Sequence, residues 1–209
     1  MNSKRGFFLT LEGVEGAGKS TSSIFIQNYL NEIGRAFTIT REPGGTVYGE
    51  QIRTLLLAPE HSDLCIETEI LLMFAARAQH IQQIIRPALK LGHVVLCDRF
   101  TDATYAYQGG GRGIADTRIH ILEKWVQDDL YPDLTLLFDV PVELGLQRAK
   151  NRSALDRFEQ EKIQFFERVR TKYLAIAKHE PRRVRIIDGS LSPAQVGSQV
   201  QTVLHEVFP

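Results

Sequence analysis

Between Gly13 and Ser20 the chain reads Gly-Val-Glu-Gly-Ala-Gly-Lys-Ser, which fits the pattern G-x-x-x-x-G-K-[ST]. Residues of these types at this spacing build a phosphate cradle. The glycines let the backbone curl until successive N–H groups point inward, Lys19 reaches the β and γ phosphates, and Ser20 offers a hydroxyl to Mg²⁺. Gly13, Val14, Glu15, Gly16, Ala17, Gly18, Lys19, Ser20 and Thr21 form the expected nucleotide-binding run. Glu15 is its odd member. A carboxylate among phosphates is unfavourable unless it bonds a sugar hydroxyl, an arginine or magnesium-bound water.

Three further stretches carry chemistry. The apolar run Val94 to Cys97 ends in Asp98, where a phosphate-loop enzyme needs an acid to hold Mg²⁺ directly or through water. Arg99 beside it can pair with a phosphate, and the triple glycine Gly109 to Gly111 is expected to bring backbone close to a ligand. Arg77 stands in the apolar run Leu71 to Ala76, and a buried arginine there needs an anion or acceptors. The phosphate loop holds no arginine between Gly13 and Gly18, so charge on a migrating phosphoryl group must be met from elsewhere. Gln147 to Arg157 contains Arg148, Lys150, Arg152 and Arg157, and its composition suits a mobile lid at about residues 147–158. Arg148 and Arg152, four apart on a helix, share one face.

These residues need a scaffold, and the hydrophobic pattern supplies one. Short apolar runs alternate with helical periods, the signature of βαβ units and a parallel sheet covered on both faces. Five strands are expected, at Phe7–Glu12, Ala36–Arg41, His93–Asp98, Leu134–Val140 and Arg183–Asp188. Helical patterns run from Ser23 to Ile33, Tyr48 to Leu57, Glu67 to Leu91 with a break or kink at Pro87, Thr117 to Gln127, Val142 to Asn151, Glu159 to Lys178 and Pro193 to Val207. The fold class is α/β, a five-stranded parallel sheet with helices on both faces, and the Gly13–Ser20 motif makes it a phosphate-loop fold. Ligands on such sheets bind at the carboxyl ends of the strands, where GVEGAGKS follows the first strand, REPGGT the second, DRFTDATYAYQGGGRG the third and the basic segment lies beyond the fourth.

Composition narrows the partners. The 209 residues suffice for one globular domain with its own core, and no repeat or linker divides them. Lys plus Arg and Asp plus Glu both number 25, so no global positive field recruits nucleic acid or an anionic membrane. Cys65 and Cys97 are too few for a disulfide framework and are expected to be buried, reduced thiols. No apolar run approaches a membrane span and Met1 to Gly6 lead straight into the first strand, so the expected setting is cytoplasmic. The six histidines show no metal-ligand spacing, and solvated or helix-face roles suffice for them.

The strings GVEGAGKS, TREPGGT, LLMFAARAQH, DRFTDATYAYQGGGRG and LDRFEQE, in this order and spacing, closely resemble the bacterial thymidylate kinase family over nearly the whole chain. The resemblance implies transfer of the γ-phosphoryl group of ATP to thymidine monophosphate, with Mg²⁺ as cofactor held by Ser20 and Asp98, and a homodimer formed through long helices. It implies that Phe74 stacks on thymine and Arg77 bonds its carbonyl edge, with Thr104 and Gln108 completing the readout. Tyr107 crowds the sugar 2′ position, and Arg53 and Arg99 bind the acceptor phosphate. Lys19, Glu15, Arg99 and, from the lid, Arg148 and Arg152 form the catalytic set, the last two as arginine fingers. It also implies an unusual peptide before Pro43. Ala103 departs from the pattern, because many members have Ser there, and Thr104 is the nearest replacement.

Two other readings share these motifs. A switch GTPase or ATPase module would read guanine through an NKxD string, and no Asn-Lys pair occurs in the chain. A kinase for another nucleoside monophosphate, or for a deoxynucleoside, is nearer. A deoxynucleoside acceptor would need a general base for its hydroxyl, and Glu12 or Asp98 are the candidates.

Overall fold

The computed structural model describes residues 5–61, 63–150 and 156–208. Five strands, β1 (Phe7–Glu12), β2 (Phe37–Arg41), β3 (Val94–Asp98), β4 (Leu134–Asp139) and β5 (Val184–Asp188), form one parallel sheet in the order β2-β3-β1-β4-β5. The inner strands read as nearly continuous apolar runs because helices cover both faces, and the edge strands β2 and β5 are only partly buried. Thr10 and Thr135 break the apolar pattern at the centre. They face each other across the β1–β4 ladder and their hydroxyls pair at 2.7 Å, which removes the penalty of burying either alone. From β1 the chain runs outward to β2, returns to β3, and crosses to β4 on the other side. The crevice is therefore at the carboxyl ends of β1, β3 and β4.

The helices are α1 (Lys19–Glu32), α2 (Val47–Leu57), α3 (Ile66–His80), α4 (Arg86–Lys90), α5 (Thr101–Thr104), α6 (Asp116–Gln127), α7 (Val142–Lys150), α8 (Ile163–His179) and α9 (Pro193–Val207). The larger core lies between the sheet and α1, α8 and α9, with Leu9, Ile26, Leu136, Phe166, Val169 and Val200 at its centre. A smaller one on the opposite face joins Phe8, Val95, Phe100, Ile81 and Ile85. Among the described residues no helix is long and apolar enough to cross a membrane.

Strand ends expected from the sequence hold to within one residue, and three other features were not read from it. First, Glu67 to Leu91 is not one helix. A wider π turn at Ile81–Ile85 separates α3 from α4, which has Pro87 in its first turn. A proline cannot donate to the carbonyl four residues back, and the wider turn accommodates its ring. Second, Thr101 to Gly111 is helical throughout, α5 passing directly into a π turn at Tyr105–Gly111 despite three glycines. Third, Cys97 is buried as expected but Cys65 is exposed. Of the helical run Val142 to Asn151 and the lid, Asn151 and residues 152–155, Arg152 among them, lie outside the described residues.

Candidate active site

The phosphate loop takes its shape from where its neighbours stand. Gly16 has φ +69°, and a Cβ there would lie 2.0 Å from the carbonyl oxygen of Gly145 in α7, so both backbone conformation and crowding demand glycine. Helix α7 thus packs backbone to backbone on the loop. Lys19 and Ser20 open α1, which aims that helix's free N–H groups at the same spot. Lys19 Nζ donates to the carbonyls of Gly13 (2.9 Å) and Val14 (3.0 Å). Burial, followed by repulsion from Arg99, lowers its pKa to about 8 against the pull of Asp98, Glu15 and Glu12.

Around the loop opens a cavity of about 1040 Å³. Glu15 to Thr21 line it, whereas Gly13 and Val14 lie beneath and contribute the carbonyls that Lys19 meets. Arg53, Arg77, Asp98, Arg99, Thr104, Tyr107, Gln108 and Arg148 line it too. Residues from six separate stretches of sequence therefore face one space.

Arg99 follows β3 in the left-handed region at φ 70°, an arrangement that costs a side-chain-bearing residue on the order of 1–2 kcal/mol and that the surroundings impose. Its N–H bonds Leu11 O at 2.9 Å. Its guanidinium donates to Glu15 Oε1 (2.8 Å), to the Tyr107 hydroxyl (3.0 Å) and to the Tyr173 hydroxyl (3.2 Å). Tyr107 in turn donates to the Glu15 carboxylate at 2.7 Å. Of the three partners open to Glu15, the structure supplies the arginine. Glu12, by contrast, is spent. Fully buried, it accepts from Phe100 N at 2.7 Å and from the Tyr173 hydroxyl at 2.6 Å. Burial, with Asp102 adding to it, raises its pKa to about 7. It does not line the cavity and is not placed to act as a general base on a hydroxyl.

Arg77 is 2% exposed and finds the acceptors that burial requires. Its Nε donates to Glu42 Oε2 at 2.7 Å, and Nη2 to Thr104 Oγ1 at 3.0 Å and Phe100 O at 3.2 Å. Glu42 directly follows β2, and its peptide bond to Pro43 is cis, the unusual bond that the resemblance implies. Burial pushes the Glu42 carboxyl up, but Arg77 with His80 outweighs it and holds the group below the usual carboxylate range. Arg77 Nη1 is left buried without a protein partner among the described residues, on a side chain that lines the cavity.

Phe74 corrects an expectation. It shares α3 with Arg77, but its ring is 2% exposed, packs with Ile70 and Ile119, lies 4.8 Å from the Arg77 guanidinium, and does not line the cavity. At about 100° per helical residue, Met73 lies about 40° from Arg77 and Phe74 about 60° away on the opposite side. Met73 is the residue that lines the cavity. The triple glycine corrects another. A Cβ on Gly110 would meet Arg168 O at 2.9 Å and one on Gly111 the Phe165 ring at 2.4 Å, so the close approach is to α8 rather than to a ligand.

Arg53 donates to Pro43 O at 2.9 Å, and burial together with Arg41 lowers its pKa. Arg148 donates to Gly189 O at 2.6 Å and Ser190 O at 3.3 Å. Arg157, left open between anchor and ligand by its position, is an anchor, with Nε on Leu56 O and Nη2 on Glu69 Oε2, both at 2.7 Å. Sequence reasoning missed Glu42, Glu69, Tyr173 and His80. His80 is fully buried between Glu42 and Thr40. The spacing Glu69, Met73, Arg77, one side chain per turn, is the signal that could have marked the pocket face of α3.

The residues fit Mg²⁺. Asp98 Oδ1 is buried without a protein partner among the described residues, and Asp98 and Ser20 line the same cavity. Hard oxygen donors of this kind suit Mg²⁺. Among the described residues no group of three or more His, Cys, Asp or Glu could hold a metal, so most ligands must come from substrate phosphates and water.

Comparison with known proteins agrees with this geometry. The family model described as thymidylate kinase matches residues 11–200. The thymidylate kinase of Pseudomonas savastanoi pv. phaseolicola is 56% identical over 203 residues, covering 97% of each chain. That of Pseudomonas entomophila is 57% identical over 199 residues, 95% of each. The crystal structure of thymidylate kinase from Ehrlichia chaffeensis superposes with a TM-score of 0.79 at 34% identity, covering 96% of this chain and 99% of that one. A phosphate loop facing a buried, part-satisfied arginine, on a scaffold shared with these proteins along nearly its full length, shows that the chain belongs to the thymidylate kinase family.

Proposed function

We propose that this chain transfers the γ-phosphoryl group of ATP to thymidine monophosphate, giving the diphosphate, as one domain with a lid at about residues 147–158. The observation that carries the reading is Arg77, a side chain lining the cavity that the phosphate loop also lines, whose buried Nη1 has no hydrogen-bond partner among the described residues. A buried donor left open costs about 1–3 kcal/mol, and a base carrying an oxo group beside the acceptor phosphate removes that cost.

The roles follow. The loop from Gly13 to Thr21 cradles the ATP phosphates and Lys19 neutralises them. Ser20 and Asp98 would hold Mg²⁺, which would offset the negative charge of the phosphates. Arg99, held by Glu15 and Tyr107, and Arg53 bind the acceptor phosphate. Thr104 steadies Arg77, Tyr107 crowds the sugar, Gln108 reads the base, and Met73 takes the base-facing place expected of Phe74. Arg148 and Arg152 meet the charge that develops on the migrating group. No general base is needed, because the attacking atom is already a phosphate oxygen and alignment with electrostatics does the rest.

The homodimer is part of the same proposal. Leu71 on α3 and Ile121 and Trp125 on α6 are 54%, 67% and 82% exposed, and Glu67 and Arg118 approach to 3.9 Å between the two helices. Three large apolar side chains beside a contact between adjoining helices are what a dimer face requires.

Release of ADP from ATP and Mg²⁺ is to be measured with thymidine monophosphate, thymidine, deoxyuridine monophosphate and adenosine monophosphate presented separately. Strong preference for thymidine monophosphate is expected. Activity with thymidine alone would move the chemistry to a hydroxyl acceptor, and ATP hydrolysis indifferent to all four would overturn the reading.

A further inference from the structure

Gln108 has an amide whose two ends can be exchanged by a half-turn, and the base it reads depends on which end faces the cavity. Its partner decides. Gln108 Nε2 lies 2.9 Å from Glu69 Oε1, and both residues are 1% exposed. Glu69 also accepts from Arg157 Nη2 at 2.7 Å and from Arg112 Nε and Nη2, each at 3.3 Å. A carboxylate between two guanidiniums offers acceptors only, so the end of Gln108 turned to it must be the NH₂. The oxygen Oε1 is then the end left for the cavity that Gln108 lines.

From this we infer that Glu69 is a specificity-determining positioning residue: by fixing the Gln108 amide, it makes the base site present an acceptor beside the open donor Arg77 Nη1. The inference rests on the thymidylate reading and goes one step further. A donor followed by an acceptor complements the edge of a 4-oxo pyrimidine, which offers an oxygen and then an N–H. It opposes a 4-amino pyrimidine at both positions, since that base offers NH₂ and then a bare ring nitrogen. Glu69 does not line the cavity. It acts through Gln108.

The test is Glu69→Gln. The arginines claim the new amide's oxygen, its NH₂ then faces Gln108, and the Gln108 amide must turn to present its own NH₂ to the cavity. Steady-state kcat/KM is measured for thymidine monophosphate and for deoxycytidine monophosphate with wild type, E69Q and the exchanged double variant E69Q/Q108E, which returns an acceptor to the cavity at unchanged net charge. The preference for thymidine monophosphate is expected to fall on the order of 10- to 100-fold in E69Q, mainly through KM, and to recover at least tenfold in the double variant. Equal loss on both nucleotides, or no recovery on exchange, would overturn the inference and leave Glu69 a packing residue. A wild type inactive on thymidine monophosphate would instead overturn the thymidylate reading itself. If E69Q does not fold, proton NMR of the wild type decides. The imino proton of bound thymidine monophosphate must give a resolved resonance that weakens in Gln108→Leu, and its absence from the wild-type complex would refute the acceptor.

Discussion

Lys19 shows how far a single side chain depends on what surrounds it. With burial and Arg99 lowering its pKa to about 8, its charge in the free protein begins to fail just above neutrality. A polyphosphate prefers the ammonium form and raises its pKa on binding. ATP affinity should therefore be full below about pH 7, fall as pH rises through about 8, and be accompanied by proton uptake on the high side of that range. Calorimetric titration of ATP at pH 8.5, in two buffers of different ionisation enthalpy, measures the uptake directly. A binding enthalpy independent of buffer would show that Lys19 is already fully charged in the free protein. Arg99 is held in turn: Glu15, Tyr107 and Tyr173 all accept from its guanidinium, so a strained φ is tolerated there.

The element that most directly shapes the cleft is the helical stretch from Thr101 to Gly111, which carries Thr104, Tyr107 and Gln108. Its glycines lie against α8, and a Cβ on Gly111 would stand 2.4 Å from the ring of Phe165, a buried core residue. The ring has no solvent to turn into. Gly111→Ala should thus cost about 1–3 kcal/mol by overpacking and push the π turn away from α8. Two effects follow from one variant: a lower midpoint in urea with unchanged slope, and a raised KM for thymidine monophosphate as Tyr107 and Gln108 shift. An alanine variant as stable as wild type, with the same KM, would mean that α8 and the turn give way freely.

At the scale of the molecule, the sheet gathers the cleft on one side and leaves Leu71, Ile121 and Trp125 exposed on α3 and α6. Because Phe74, Ile70 and Ile119 seal those two helices together, the exposed face and the Arg77 wall belong to one rigid layer. A dimer through that face would brace the base site from behind. Light scattering at micromolar concentration should give twice the 23.7 kDa of one chain, and Trp125→Glu should shift it toward the single-chain mass. A single-chain mass for the wild type would end the dimer proposal.

What could be read from the sequence was whatever rests on local pattern. The G-x-x-x-x-G-K-[ST] spacing, the apolar runs of a doubly covered parallel sheet and the acid ending β3 are each set by a few neighbouring residues, and so the fold class was legible in the sequence alone and the phosphate-side residues could be proposed from it. A buried arginine in an apolar run was legible too, as a demand for acceptors at Arg77. Which acceptors met the demand was not, because Glu42, Thr104 and Phe100 arrive from three other stretches of chain. For the same reason the sequence misjudged the side of α3 that holds Phe74, the neighbour that the triple glycine serves, and the importance of His80 and Glu69. Periodicity says that a helix has faces, but only packing against α6, the Thr101–Gly111 stretch and Arg157 decides which face lines the cavity and which way a buried amide turns.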